Sequence, residues 1–294
     1  MRQLTGIPKL LHRIFIVAVV LWITVPLYWL GVTSVTPQRF LAGTTRPAMV
    51  PREPTMGAYE ELLMPHRVAE RRGAYDRSSP APAFRRSMLN STVVSVSSTL
   101  LGMVFGSLAA YALARLRFPL RSVWRSMLLA SRMIAPIALA IPLYSVFRRL
   151  GILDQYLPLI AVYTSMSMAW ATLIMTNYFH MLPKELEDAA MVDGCSRLGT
   201  FIRIVVPSAT PGLVAVMMIT FLYSWGEFLF ALLFTSSLRA RTLPVIASMF
   251  MGEFAVSYNM IAAALILTIL PPIVLALVFQ RFIVAGLTAG SVKG

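Results

Sequence analysis

The sequence predicts an all-α integral membrane bundle of six transmembrane helices, and three observations predict it. Hydrophobic residues make up 57% of the 294 residues, where soluble domains carry roughly 45–50%. Charged residues are 13%, about half the usual ~25%, and the mean hydropathy is +0.73. The apolar residues also gather into runs long enough to cross hydrocarbon, which takes about 20 residues as a helix. There is too little polar surface to clothe a soluble fold and too much apolar mass for a disordered chain.

The runs fall at about 14–34, 88–114, 124–147, 158–179, 209–234 and 257–282. The first follows a basic start, Arg2, Lys9 and Arg13. It exceeds a signal core in length and has no A-x-A site after it, so an uncleaved anchor is expected, with residues 1–34 forming tail and first span. Residues 35–87 form the longest polar stretch, an expected extracytoplasmic loop. It holds a short helical candidate at Ala58–Met64 and a Gly/Ser/Pro tract at Gly73–Pro82 that reads as flexible. Residues 88–282 then form a five-span core, and residues 283–294 a cytoplasmic tail. Pro26, Pro136, Pro142, Pro271 and Pro272 lie inside spans. Each removes a backbone donor and bends its helix. A kink serves either packing or a bundle that rearranges.

The net charge of +14 is scattered through short segments between apolar runs, with no basic stripe bearing aromatics. It reads as loop charge facing water and lipid headgroups, not as a nucleic-acid surface. Counted by side, Lys and Arg nearly balance, because the 35–87 loop carries Arg39, Arg46, Arg52, Arg67, Arg71, Arg72 and others. With that loop set aside, both termini are placed in the cytoplasm. A single cysteine, Cys195, precludes an intrachain disulfide, and His12, His66 and His180 are too far apart for a local metal site. No phosphate loop or nucleophile turn occurs. No metal or cofactor is expected on this chain, and any ATP and Mg would be used by another chain.

The most informative segment is 183–207, between the fourth and fifth runs. Pro183 suits a helix's first turn. Glu185, Glu187 and Asp188 set negative charge at the positive end of the helix dipole. Ala189 and Ala190 leave a small-residue face, and Gly194 ends the helix in a left-handed cap. Ser196 caps a second short helix, and Pro207 marks its end. Such a helix–turn–helix on the membrane surface is either a solvated loop or a rigid element that enters a partner's groove, its carboxylates meeting the rim.

Asp188-Ala189-Ala190, three residues, Gly194, nine residues, then Ile204-Val205-Val206-Pro207 resembles the EAA loop of ABC-importer permeases, with Asp for Glu and Val for Leu. Tyr111–Pro119 is similar to that family's first cytoplasmic loop. Trp225-Gly226-Glu227-Phe228 is similar to the Trp-Asn-Glu-Phe stretch of sugar permeases, and the tail Gln280–Gly294 to the C-terminus of MalG-type carbohydrate permeases. The resemblance implies a type I importer permease of the bacterial inner membrane, without an ATPase site of its own. Its partners would be a second homologous permease, two ATP-binding subunits and an extracytoplasmic sugar-binding protein. It assigns ATPase coupling to Glu187, Asp188, Ala189, Ala190, Asp193, Gly194 and Pro207. The sugar itself is not specified; a polyol or glycerol phosphate permease, an ATP-independent channel and a membrane enzyme remain as alternatives.

Three further features carry two readings each. Gly102, Gly106, Ala110 and Ala114 recur every four residues, spacing that lets helices approach closely within the subunit or against a partner permease. Arg132 lies roughly 12 Å from the inner end of its run and Glu227 roughly 10 Å from the outer end of its own, at 1.5 Å per residue. Intramembrane charges face the bundle interior or a water-filled cavity. Arg132 is expected to satisfy carbonyls freed near Pro136, and Glu227 with Trp225 to line a solute path or to fix a bundle contact.

Overall fold

A computed structural model describes residues 6–41, 49–51, 53–72, 81–250 and 257–288. Within them the regular elements are helical. Most of the Gly73–Pro82 tract and the end of the tail lie outside the described residues. The chain divides into two compact units, residues 1–85 with 247–270, and 86–246 with 271–294.

In the first unit, α1 (Gly6–Val35) is continuous through Pro26. Its Leu10–Val35 stretch has the length and apolarity to cross a membrane. From Leu10 to Trp29 the side chains are exposed, Trp22 at 84%, so lipid must cover what protein does not. Its last turn is half-buried, Val32 and Ser34 fully so. There Tyr59 donates a 2.8 Å hydrogen bond to Ser34 Oγ, and Thr55 N–H donates at 2.8 Å to Val35 C=O. Tyr59 sits on α3 (Gly57–Leu63), one residue off the expected helix. Two more helices, α2 (Gln38–Leu41) and α4 (Pro65–Arg72), complete the polar stretch.

The second unit holds most of the apolar core. Helix α8 (Tyr156–Met181) is a continuous span, as is α5 (Ala81–Arg115), whose residues from Arg86 on belong to this unit; α15 (Tyr258–Thr288), unbroken through Pro271 and Pro272, contributes its part from Pro271 on. The third and fifth runs are not single helices. The third is α6 (Arg121–Met133) and α7 (Pro136–Arg149), bent by 92°. Ile134 and Ala135 are extended, at ψ 121 and 132, which is where a following proline pushes its predecessor. The fifth run starts at an 81° bend before α12 (Thr210–Gly226). It breaks at Glu227 (ψ 128) and resumes as α13 (Leu229–Phe234).

The core of this unit has two clusters. One joins Met103 and Ala110 of α5, Met175 and Phe179 of α8, and Phe201, Val205 and Val216. The other joins Val94 of α5, Ala140 of α7, Leu159 and Tyr163 of α8, and Phe230 and Phe234 of α13. Beside the second cluster, buried Asn90 is satisfied on both faces of its amide. Its Nδ2 donates to Arg241 C=O at 2.8 Å and its Oδ1 accepts from Tyr156 Oη at 2.6 Å. Asp154 (φ 59) closes the same end. Its carboxylate accepts from the backbone N–H groups of Ser236 and Ser237, each at 2.9 Å, and from the Ser237 hydroxyl.

Candidate functional site: the loop between α8 and α12

Helix α8 ends at Met181, and α9 (Glu185–Val192) begins after three intervening residues with Glu185, Glu187 and Asp188 in its first turn. Acidic residues there favour the helix through its dipole. The end is a Schellman cap. Gly194 N–H donates to Met191 C=O at 3.1 Å and Cys195 N–H to Ala190 C=O at 3.0 Å, with Gly194 at φ +88. A Cβ on Gly194 would meet nothing within 4 Å, so backbone conformation, not space, selects glycine there. Ser196 then caps α10 (Arg197–Thr200), its Oγ accepting from Gly199 N–H at 3.1 Å. A π-helical turn at Phe201–Val205 and α11 (Val206–Ser208) carry the chain to the 81° bend. Pro207 is exposed in α11.

What fixes this loop to the bundle is Glu187. Its Oε1 accepts from Arg115 Nε at 2.7 Å and its Oε2 from Tyr111 Oη at 2.9 Å. Arg115 also donates from Nη2 to Leu182 C=O at 2.9 Å. The Glu187 and Arg115 side chains are only 8% and 7% exposed. Tyr111 packs in turn on Phe201, ring centroids 4.9 Å apart, and on Phe179 at 6.3 Å. One carboxylate thus ties α9 to the end of α5, the end of α8 and the π-helical turn.

Around that clamp the segment's faces separate. Ala190 is buried with Glu187; Asp188, Ala189, Asp193 and Gly194 are exposed. Outward apolar residues accompany them: Val192 is 87% exposed, Leu186 49% and Leu198 59%. The Asp188-Ala189-Ala190 pattern points to small residues and carboxylates, and these larger apolar residues lie between its positions.

The small-residue stripe is spent inside the chain. A Cβ on Gly102 would lie 2.5 Å from Ser167 Cβ, and one on Gly106 2.5 Å from Ala171 Cβ, both on α8. Ala110 is fully buried. Glu227 sits in the break of the fifth run. Its carboxylate accepts from Phe230 N–H at 3.1 Å, from Ala231 N–H at 3.3 Å and from the Tyr163 hydroxyl. It therefore caps α13, as an anion at a helix N-terminus does. Trp225 is buried and stacked on Phe221 at 5.6 Å. These contacts are the bundle-fixing kind. Arg132 does not serve carbonyls at Pro136; it reaches α8, where Nη1 lies 3.5 Å from Met166 C=O and Cζ 4.6 Å from the Trp170 ring centroid. The extended Ile134 and Ala135 break the helix between Arg132 and Pro136, and the guanidinium meets α8 instead. Among the described residues no group of three or more His, Cys, Asp or Glu could hold a metal.

The profile of the family described as "Binding-protein-dependent transport system inner membrane component" matches residues 102–288, from the α5 stripe through the clamped loop to the last span. The chain belongs to that family. Two curated relatives cover most of this permease. It is 40% identical over 207 residues to the sulfoquinovosyl glycerol transport system permease protein SmoH of Agrobacterium fabrum, 70% of this chain and 73% of that one. It is 36% identical over 218 residues to the trehalose/maltose transport system permease protein MalG of Thermococcus litoralis, 74% and 78%. A chain from the crystal structure of a bacterial ABC transporter that imports the acidic polysaccharide alginate superposes with a TM-score of 0.75. The match covers 96% of this permease and 99% of that chain at 17% identity. It shows that the two chains share a fold.

Proposed function

We propose that this permease forms one half of the transmembrane pathway of an ATP-driven, binding-protein-dependent importer for a sugar or sugar derivative, and that α9 couples it to a separate ATPase. The observation that carries the coupling role is the clamp. Glu187 holds α9 rigidly on α5 and α8, while Leu186, Val192, Asp188 and Asp193 stay free for a partner. A force on the outer face of α9 passes through Arg115 and Tyr111 into α5, and through the π-helical turn into α12. The named solutes of the two relatives support a carbohydrate class. A homologous permease completes the pathway, two ATPases bind ATP and Mg on the α9 side, and a sugar-binding protein delivers solute from the other. This chain itself binds no cofactor. The termini lie on the α9 side, in the cytoplasm, with lipid around α1. Coupling of this kind is bounded by how differently the ATPases engage the two states of the bundle.

The test is ATP-driven uptake by the assembled complex in proteoliposomes. Gly194→Pro breaks the left-handed cap, and Asp188→Arg reverses charge on the free face. Each is expected to abolish uptake while the protein remains in the membrane. Normal uptake by both variants would overturn the coupling role.

A further inference from the structure

Arg132 is a cation at membrane depth with little to neutralise it. Helix α6 runs antiparallel along α8. Arg121 lies 3.5 Å from His180, Arg125 donates to Asn177 Oδ1 at 3.2 Å, and Arg132 reaches Met166 C=O. Residues 121, 125 and 132 share one helical face, so three guanidiniums climb α8 from its end towards its middle. Trp170 is eleven residues before Met181, which puts Arg132 about 16 Å up the helix. A guanidinium offers five donors, yet the hydrogen bond that holds this one is 3.5 Å long. Its buried Nε has no partner, and among the described residues no carboxylate lies within ion-pair reach of it. The stacked Trp170 and Tyr223 rings, 4.6 and 5.9 Å from Cζ, offer only their π faces. Glu227 is already taken by Tyr163 and the α13 amides.

Arg132 lines a cavity of about 330 Å³ together with Ser131, Ser165 and Tyr223, the rest of the wall being apolar, Leu139, Leu143 and Met166 among it. Its size is that of a small-molecule site. The hydroxyls of Ser131 and Ser165 donate to Leu128 and Val162 carbonyls, which leaves their oxygens free to accept. The cavity therefore supplies one unsatisfied cation, hydroxyl-accepting oxygens and an aromatic face. A charged side chain at this depth is costly unless it is paired or lines a pathway.

We infer that this cavity is a subsite for the anionic group of a transported acidic sugar, a carboxylate, sulfonate or phosphate, with Arg132 as its counter-ion. The inference rests on the permease reading above. Arg121 and Arg125, nearer the α9 end of α8, extend an electropositive track from the cavity along that helix. The uncharged part of the solute lies on Tyr223, and its hydroxyls donate to Ser131 and Ser165.

The test uses Ser131→Cys in a Cys195→Ser background, in the assembled complex in phosphatidylcholine vesicles. The probes are an anionic sulfonatoethyl and a cationic trimethylammonioethyl methanethiosulfonate. With Arg132 present the anionic reagent should react about tenfold faster or more, the lower end of what a one-signed cleft produces. Arg132→Met should bring the two rates together, and Arg132→Lys should keep most of the preference. Glucuronate should slow labelling and glucose should not. Equal rates, no labelling, or equal protection by both sugars would overturn the assignment. So would a preference that vanishes when phosphatidylglycerol replaces phosphatidylcholine, because the occupant would then be a lipid headgroup. ATP-driven uptake by the same vesicles is scored separately, so a failed permease reading is distinguishable from a failed subsite.

Discussion

Glu187→Ala should release α9 from the bundle. The substitution removes the acceptor of both Arg115 Nε and Tyr111 Oη and leaves Arg115 buried with Leu182 C=O as its remaining oxygen partner. Breaking a buried pair by deleting one partner costs about 3–5 kcal/mol. An exposed pair such as Arg39 with Glu53 is worth about 0–1 kcal/mol. At about 1.4 kcal/mol per tenfold, the local opening equilibrium of α9 should shift by about 100-fold or more. Hydrogen exchange of the 187–192 amides in the detergent-solubilised complex reads this directly, because local opening sets their protection. Asp188→Ala, one residue on and exposed, should leave exchange within about twofold. Replacing Arg115 and Glu187 together by Met should recover most of the protection, since the unpaired charge is gone. Exchange in Glu187→Ala within twofold of the parent would refute the clamp.

Other positions give sharper steric and electrostatic contrasts. Gly106→Leu should lower the thermal midpoint, at about 1–3 kcal/mol for overpacking against Ala171, whereas Gly226→Ala, with open space around it, should be nearly silent. Glu227→Met uncaps α13 and strands the Tyr163 hydroxyl. A cost of about 2 kcal/mol is expected, less for Glu227→Gln, whose amide oxygen still accepts; thermal unfolding ranks the three. For Asp154, burial raises its pKa, but hydrogen bonds from Ser237 and Ser236, helped by Arg239, outweigh that and hold it below the ordinary value. Its contribution is therefore present above the unfolded value of about 3.9 and is lost as pH falls through the lower folded value. Trypsin cleavage at Arg239 should accelerate in Asp154→Asn, whereas in the parent its rate relative to a free peptide should not change between pH 5 and 8.

The sequence shows the spans because hydropathy sums over twenty residues report burial in lipid. It hides the breaks at 134–135 and 227–228, which depend on two dihedral angles in otherwise apolar runs. Pro136 signals the first, since a proline pushes its predecessor out of the helical region. The second had a signal too: a carboxylate followed by Phe-Leu-Phe reads as a cap once the helix is allowed to restart. The 183–207 loop is legible almost residue by residue, because Gly194 and Ser196 act locally. The partner of Glu187 lies 72 residues away, and no local rule finds it, although Tyr111 and Arg115 share a helical face one turn apart. The resemblance directs attention to Asp188, while packing gives the buried role to its neighbour. Arg132 was visible as a charge in a span, and its shared face with Arg121 and Arg125 was visible at helical spacing. What it lacks, a carboxylate, only the three-dimensional arrangement reveals.

Cys195 gives the most direct test of the central claim, since it follows Gly194 at the end of α9 and is partly exposed. Right-side-out and inside-out vesicles are treated with a membrane-impermeant maleimide, with and without the ATPase subunit. Labelling is expected in inside-out vesicles alone, with protection when the ATPase is bound. Labelling in right-side-out vesicles alone, or inside-out labelling that the ATPase leaves unchanged, would contradict it.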